Sequence, residues 1–160
     1  MSGFDPVWSE RSRALILGTW PSPKSFAFGF YYGHPQNRFW PLLARLEGKE
    51  TPMDIAGRRA LILDSGLALW DTIEDCAITG ASDASIRDVK PRDMGELFAR
   101  APIEAVFCNG AKAYELYQRY QYPVTHIPAR KMPSTSPANA AWSLDRLTEA
   151  WSGLREYMSL

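Results

Sequence analysis

The sequence is short of the side chains that most often carry hydrolytic or metal chemistry, with two histidines and two cysteines in 160 residues. His34 and His126 leave little room for Ser/His/Asp catalysis, and no serine sits in a nucleophile elbow. Cys76 and Cys108 are far apart in sequence, and no group of His, Cys, Asp and Glu has zinc spacing, so no metal is expected. Two buried thiols in a reduced compartment account for both cysteines without a disulfide. A charge surplus is missing too: 18 basic and 18 acidic residues cancel. That counts mildly against a protein that coats nucleic acid, whose affinity rests on neutralising many phosphates. It leaves room for an enzyme that grips a few nucleotides through a local patch. No apolar run is long enough to span a bilayer, and the opening Met-Ser-Gly-Phe-Asp-Pro lacks the regions of a signal peptide. A cytoplasmic protein with no membrane partner is expected. There is no repeat, no low-complexity tract and no linker rich in glycine and serine. Neither a P-loop nor dinucleotide glycine spacing is present, so no cofactor is expected.

What is present reads as one domain over residues 1–160, with 46% apolar and 22% charged residues. Short apolar runs alternate with amphipathic stretches. This pattern predicts an α/β fold: a three-layer α/β/α domain on a small, mainly parallel four-stranded sheet. Strands are predicted at Ala14–Leu17, Leu67–Trp70, Ala105–Cys108 and Val124–Ile127. Helices are predicted over Asn37–Leu46, from Thr51-Pro52 to Gly66, from an Asp93/Glu96 capping pair, over Ala111–Tyr120, and over Leu144–Met158. Ligands of such sheets gather where loops leave the carboxyl ends of the strands. That rule selects Gly18–Gly33, Asp71–Pro91 (read as polar and irregular), Asn109–Lys112 and Pro128–Asn139.

Each loop admits a chemical and a plain structural reading. The aromatics of Gly29–Trp40 suit a wall for stacking a planar ring, or a cluster that packs the loop onto the core. Asn37 suits an N-cap for the helix it opens. Asn109 offers both a donor and an acceptor to a nucleobase edge, or serves as a turn residue. The loop Arg130-Lys131-Met132-Pro133-Ser134-Thr135-Ser136-Pro137 suits a phosphate clamp, or a proline-stiffened surface turn. Arg87, Lys90 and Arg92 form a further basic patch or a solvated face.

The order of these motifs resembles the uracil-DNA glycosylase superfamily. Gly33-His34-Pro35-Gln36-Asn37-Arg38-Phe39-Trp40 is similar to the mismatch-specific branch. The full set, with Ser65-Gly66-Leu67-Ala68-Leu69-Trp70-Asp71, Asn109-Gly110 and Pro133–Asn139, is more similar to the hypoxanthine-DNA glycosylases. The resemblance covers Ala14 to Met158. Trp20 stands where uracil-removing relatives carry a water-positioning Asp or Asn, and Met132 where the most active of them carry a histidine.

The resemblance implies a monofunctional glycosylase of base excision repair that needs no cofactor and acts as a monomer on double-stranded DNA containing a deaminated base, chiefly deoxyinosine. It implies Asn37 as the catalytic residue, holding a water through its side-chain oxygen. Tyr32 would stack on the flipped base and Asn109 would pair with its edge, beside Trp20, Pro21 and Ser22. Arg130, Lys131, Pro133, Ser134, Thr135 and Ser136 would contact the DNA. A G:U/T mismatch or uracil glycosylase, a silent module that binds damaged DNA, and a nucleosidase are the rival expectations.

Overall fold

A computed structural model describes residues 3–78 and 86–159. Its first strand, β1 (Ala14–Gly18), is buried along its whole length. An unbroken apolar run belongs in a sheet covered on both faces. In α1 (Pro23–Phe28), the Ser22 hydroxyl accepts from Ser25 N at 3.1 Å. In α2 (Phe39–Glu47), Pro41 falls in the first turn, where no backbone donor is needed, and Phe39, Trp40, Leu42, Leu43 and Leu46 turn inward. α3 (Ile55–Asp64) begins later than Pro52, because Asp54 caps it by accepting from Gly57 N at 2.7 Å. β2 (Leu67–Asp71) follows directly.

The stretch read as irregular is largely an antiparallel hairpin of β3 (Ile73–Ile78) and β4 (Ile86–Pro91). Residues 79–85, in the middle of that predicted loop, lie outside the described residues. Register shifts between Ile73 and Ala77 break the alternation by which such strands are read. Next come α4 (Gly95–Arg100), where Asp93 Oδ1 accepts from Gly95 N at 2.9 Å, and β5 (Ala105–Asn109). α5 (Ala111–Leu116) runs through a π-helical turn, Tyr117–Gln121, into α6 (Tyr122–Thr125).

The fourth strand is not Val124–Ile127. Pro123 opens the short α6, Val124 is 66% exposed, and His126 closes the helix at φ +59°. The strand is instead β6 (Ala129–Met132), inside the segment read as loop. It is an edge strand, where cationic side chains discourage pairing with another chain, so Ala-Arg-Lys-Met carries no apolar signature. The final predicted helix divides into α7 (Leu144–Ala150) and a 3₁₀ segment, Ser152–Tyr157.

The four-stranded sheet is parallel throughout, in the order β2-β1-β5-β6, with helices flanking it. The chain leaves β1 for one side and later returns to add β5 and β6 on the other. Loops after β1 and β5 therefore diverge and open a crevice at the carboxyl edge. Among the described residues, no helix is long and apolar enough to cross a membrane.

A carboxylate sits at the wrong end of α2. Glu47 is the last helical residue, where the carbonyl ends already carry partial negative charge. Its side chain is 1% exposed, and Lys49 Nζ stands 3.8 Å away, beyond hydrogen-bond length. Burial pushes the carboxyl up to about 7, against the pull of Lys49 and helped by Asp64. A pKa raised on folding means the folded chain holds that proton more tightly than the unfolded chain. Stability is therefore lost as pH rises from the ordinary carboxylate range through about 7. Thermal melts are expected to show E47Q more stable than wild type at pH 8 and close to it at pH 5. Each kcal/mol would appear as about 2–4 °C in Tm.

Candidate active site

The crevice is built from strand ends that crowd together. Gly18 closes β1 where a Cβ would lie 2.6 Å from Asp71 Oδ1 and 2.9 Å from Tyr32 Oη. Only glycine lets that carboxylate and that phenol settle over the strand end. Asp71, the last residue of β2, is 3% exposed.

Tyr32 has φ +52°, a backbone state that is costly for an aromatic residue. Its surroundings hold it there. Gly33 N donates to the buried Ser25 hydroxyl at 3.0 Å, and the Tyr32 ring packs on Phe39 with centroids 4.4 Å apart. Trp40 Nε1 donates to Tyr31 O at 2.9 Å. Phe30, Tyr31, Phe39 and Trp40 are core residues, so most of this aromatic segment is packing, while Tyr32 stays half-buried.

Three distant segments meet at Thr135, whose relative exposure is 0%. Asn109 Oδ1 accepts from Thr135 N at 3.0 Å, and Asn109 Nδ2 donates to Thr135 Oγ1 at 2.9 Å. Thr135 Oγ1 donates to Asn37 Oδ1 at 2.9 Å. That same Asn37 oxygen accepts from Phe39 N at 3.0 Å, in the first turn of α2. Arg38 holds the formal N-cap position, yet Asn37 still caps a backbone N–H, so its capping and site readings coexist. Both bonds fall on the Asn37 oxygen and neither uses the NH2 group.

The remaining site candidates are scattered. Trp20 packs on Phe26 with centroids 5.6 Å apart, Pro21 is buried, and the Ser22 hydroxyl is spent on capping α1. Arg130 and Lys131 lie on β6 rather than on the loop after it. Arg130 stacks over Phe107 and donates to Tyr157 Oη at 3.1 Å, whereas Lys131 stands over Tyr114. Pro133 O accepts from Trp151 Nε1 at 3.1 Å. The hydroxyls of Ser134 and Ser136 accept from Ser136 N and Ala138 N, folding the loop on itself. Thr135, expected on the DNA side, points inward instead, because both asparagines claim its hydroxyl.

Arg38 has a part that the sequence reading did not assign. Its guanidinium donates to the carbonyls of Trp142, Ser136 (2.9 Å) and Asn139 (3.0 Å), and its N–H donates to Thr135 O at 3.1 Å. One residue thus clamps the whole 135–142 loop against the start of α2. Its carbonyl partners lie about a hundred positions away and leave no signal in the sequence.

With this geometry in view, the comparisons are specific. Residues 6–155 match the uracil DNA glycosylase superfamily. The chain belongs to that superfamily. It is 34% identical over 152 residues to a hypoxanthine DNA glycosylase of Methanosarcina acetivorans, covering 92% of this chain and 93% of that protein. A hypoxanthine DNA glycosylase of Methanosarcina barkeri is 33% identical over 115 residues, 71% of this chain and 73% of the relative. A solution NMR structure of an M. acetivorans protein, described as a candidate uracil DNA glycosylase, superposes with a TM-score of 0.84 at 29% identity. The match covers 98% of this chain and 97% of that one.

Hydrogen bonds to a charged donor are among the stronger ones, so removing the Arg38 clamp should be costly. R38A is expected to lose about 2–4 kcal/mol in urea unfolding. Amide exchange at Asn139 and Trp142 should rise well beyond that of the β1 amides. Uniform exchange across both regions would contradict the clamp.

Proposed function

We propose that this DNA glycosylase flips a deaminated nucleotide, chiefly deoxyinosine, out of duplex DNA and hydrolyses its N-glycosidic bond without a lyase step. The observation that carries the reading is the Asn37–Thr135–Asn109 cluster at the crevice of a member of this superfamily. Relatives named hypoxanthine DNA glycosylase support the choice of base.

Hydrolysis breaks the C1′–N9 bond with both electrons going to the base. A water oxygen bonds to C1′ and sheds a proton to solvent, and the departing base takes up a proton. An amide has no pKa suited to a general base, so Asn37 must act by position and electrostatics. Its oxygen already accepts two hydrogen bonds, which leaves the NH2 group for the substrate and revises the expectation of a water held by that oxygen. A donor aimed at the sugar would oppose the positive charge forming there. Aimed at the base, it supports the negative charge. Asn37 is assigned to the base.

Asn109 retains one N–H and one lone pair beyond its two bonds to Thr135. These two point apart, because the edge between oxygen and NH2 is spent on Thr135, so the N–H alone meets the base, at the hypoxanthine carbonyl. Adenine offers a donor there instead, leaving the N–H unmatched. Tyr32 covers one face of the base, a contact worth about 1–3 kcal/mol, and Trp20, Pro21 and Ser22 wall the loop after β1. Extrusion of the nucleotide costs a few kcal/mol. The loop Pro133, Ser134 and Ser136 presses on the duplex there, with the charge of Arg130 and Lys131 behind it. No lysine is placed for Schiff-base chemistry in this scheme.

Excess protein is incubated with duplexes carrying one deoxyinosine or one deoxyuridine, and abasic sites are then cleaved with alkali. Strand breaks are expected at inosine and only after alkali. N37A is expected to be slower by about 10²–10³-fold in single turnover. Near-normal cleavage by N37A, breaks without alkali, or a preference for uracil would each overturn part of this reading.

A further inference from the structure

Thr135 is tied on every side. Its N–H goes to Asn109, its carbonyl accepts from Arg38 N, and its hydroxyl joins the two asparagines. The directions of these bonds follow from groups that have only one role. Phe39 N–H can only donate, so the Asn37 atom facing it at 3.0 Å is the oxygen. Thr135 N–H can only donate, so the Asn109 atom facing it is also oxygen, and the Asn109 NH2 is the group on the Thr135 hydroxyl. That hydroxyl must then give its own proton to Asn37 Oδ1. The polarity runs one way, from Asn109 through Thr135 to Asn37.

Resting on the proposed function, we infer that Thr135 is a positioning residue for the reaction. Its hydroxyl fixes the amide of Asn37 with the oxygen inward and the NH2 toward the nucleotide, and couples that orientation to Asn109 on the facing strand. Phe39 N alone would leave Asn37 one bond about which to swing. A rotated amide presents an oxygen to the departing base, where it repels the negative charge that the NH2 supports. Valine at 135 keeps the volume but takes away this control. Serine keeps the hydroxyl.

The test measures single-turnover release of hypoxanthine and duplex affinity for wild type, T135V, T135S, N37A and the N37A/T135V double variant, with thermal melts of each. T135V is expected to be about 10–100-fold slower with affinity little changed. T135S should stay within a few-fold of wild type. In the N37A background, T135V should cost much less than in wild type, because most of its effect passes through Asn37, while Asn109 keeps its bond from the backbone N–H at 135. A residue that merely stabilises the fold would slow both backgrounds equally, and that outcome overturns the inference. So would a wild-type rate for T135V, or a T135S variant as slow as N37A. If T135V melts below the assay temperature, the T135S comparison still decides: retained rate supports the hydroxyl's role, and loss to the N37A level removes it. Absence of hypoxanthine release by wild type is a separate result and removes the proposed function itself.

Discussion

The hydroxyl of Thr135 is the point on which the candidate site turns. It lies away from solvent and accepts from one asparagine while donating to another. Buried polar groups left without partners cost about 1–3 kcal/mol each, so each member of this chain holds the other two in place. The two asparagines come from different layers of architecture. Asn109 ends β5, and Asn37 precedes α2. The loop after β6 brings Thr135 between them, and the Arg38 clamp keeps that loop against the helix. Fold and candidate site therefore share the same few hydrogen bonds.

The order of the sheet sets where these residues meet. A parallel sheet whose order reverses between β1 and β5 must open at its carboxyl edge. Gly18 leaves room at the end of β1 for the ends of Asp71 and Tyr32, which a Cβ there would meet. The amides left over are richer in donors than in acceptors, which suits a base that leaves with negative charge.

Much of this was legible in the residues. The unbroken apolar runs of β1, β2 and β5 read as buried strands, Asn109 stood out by its place at a strand end, and Asn37 read as a cap from its place and as a site residue only from the family resemblance. Other features were hidden for physical reasons. β6 carries Arg130 and Lys131 because an edge strand is safer charged, and a short β-branched run, Val124-Thr125, imitated a strand beside it. Irregular register concealed the β3–β4 hairpin. Thr135 read as one hydroxyl among several in a loop, since the partners that draw it inward lie 26 and 98 positions away. The role of Arg38 was invisible for the same reason: carbonyls have no signature in sequence.

The central claim is that Asn37 acts as a donor to the departing base and not as an acceptor for water. Asp at this position keeps an oxygen for Phe39 N and the Thr135 hydroxyl but replaces the NH2 group with a second, negatively charged oxygen. Single-turnover release of hypoxanthine by N37D, compared with wild type and N37A on the same duplex, separates the two. A rate no better than that of N37A is the predicted result. A rate equal to or above wild type would contradict the account and return the role of Asn37 to holding the attacking water.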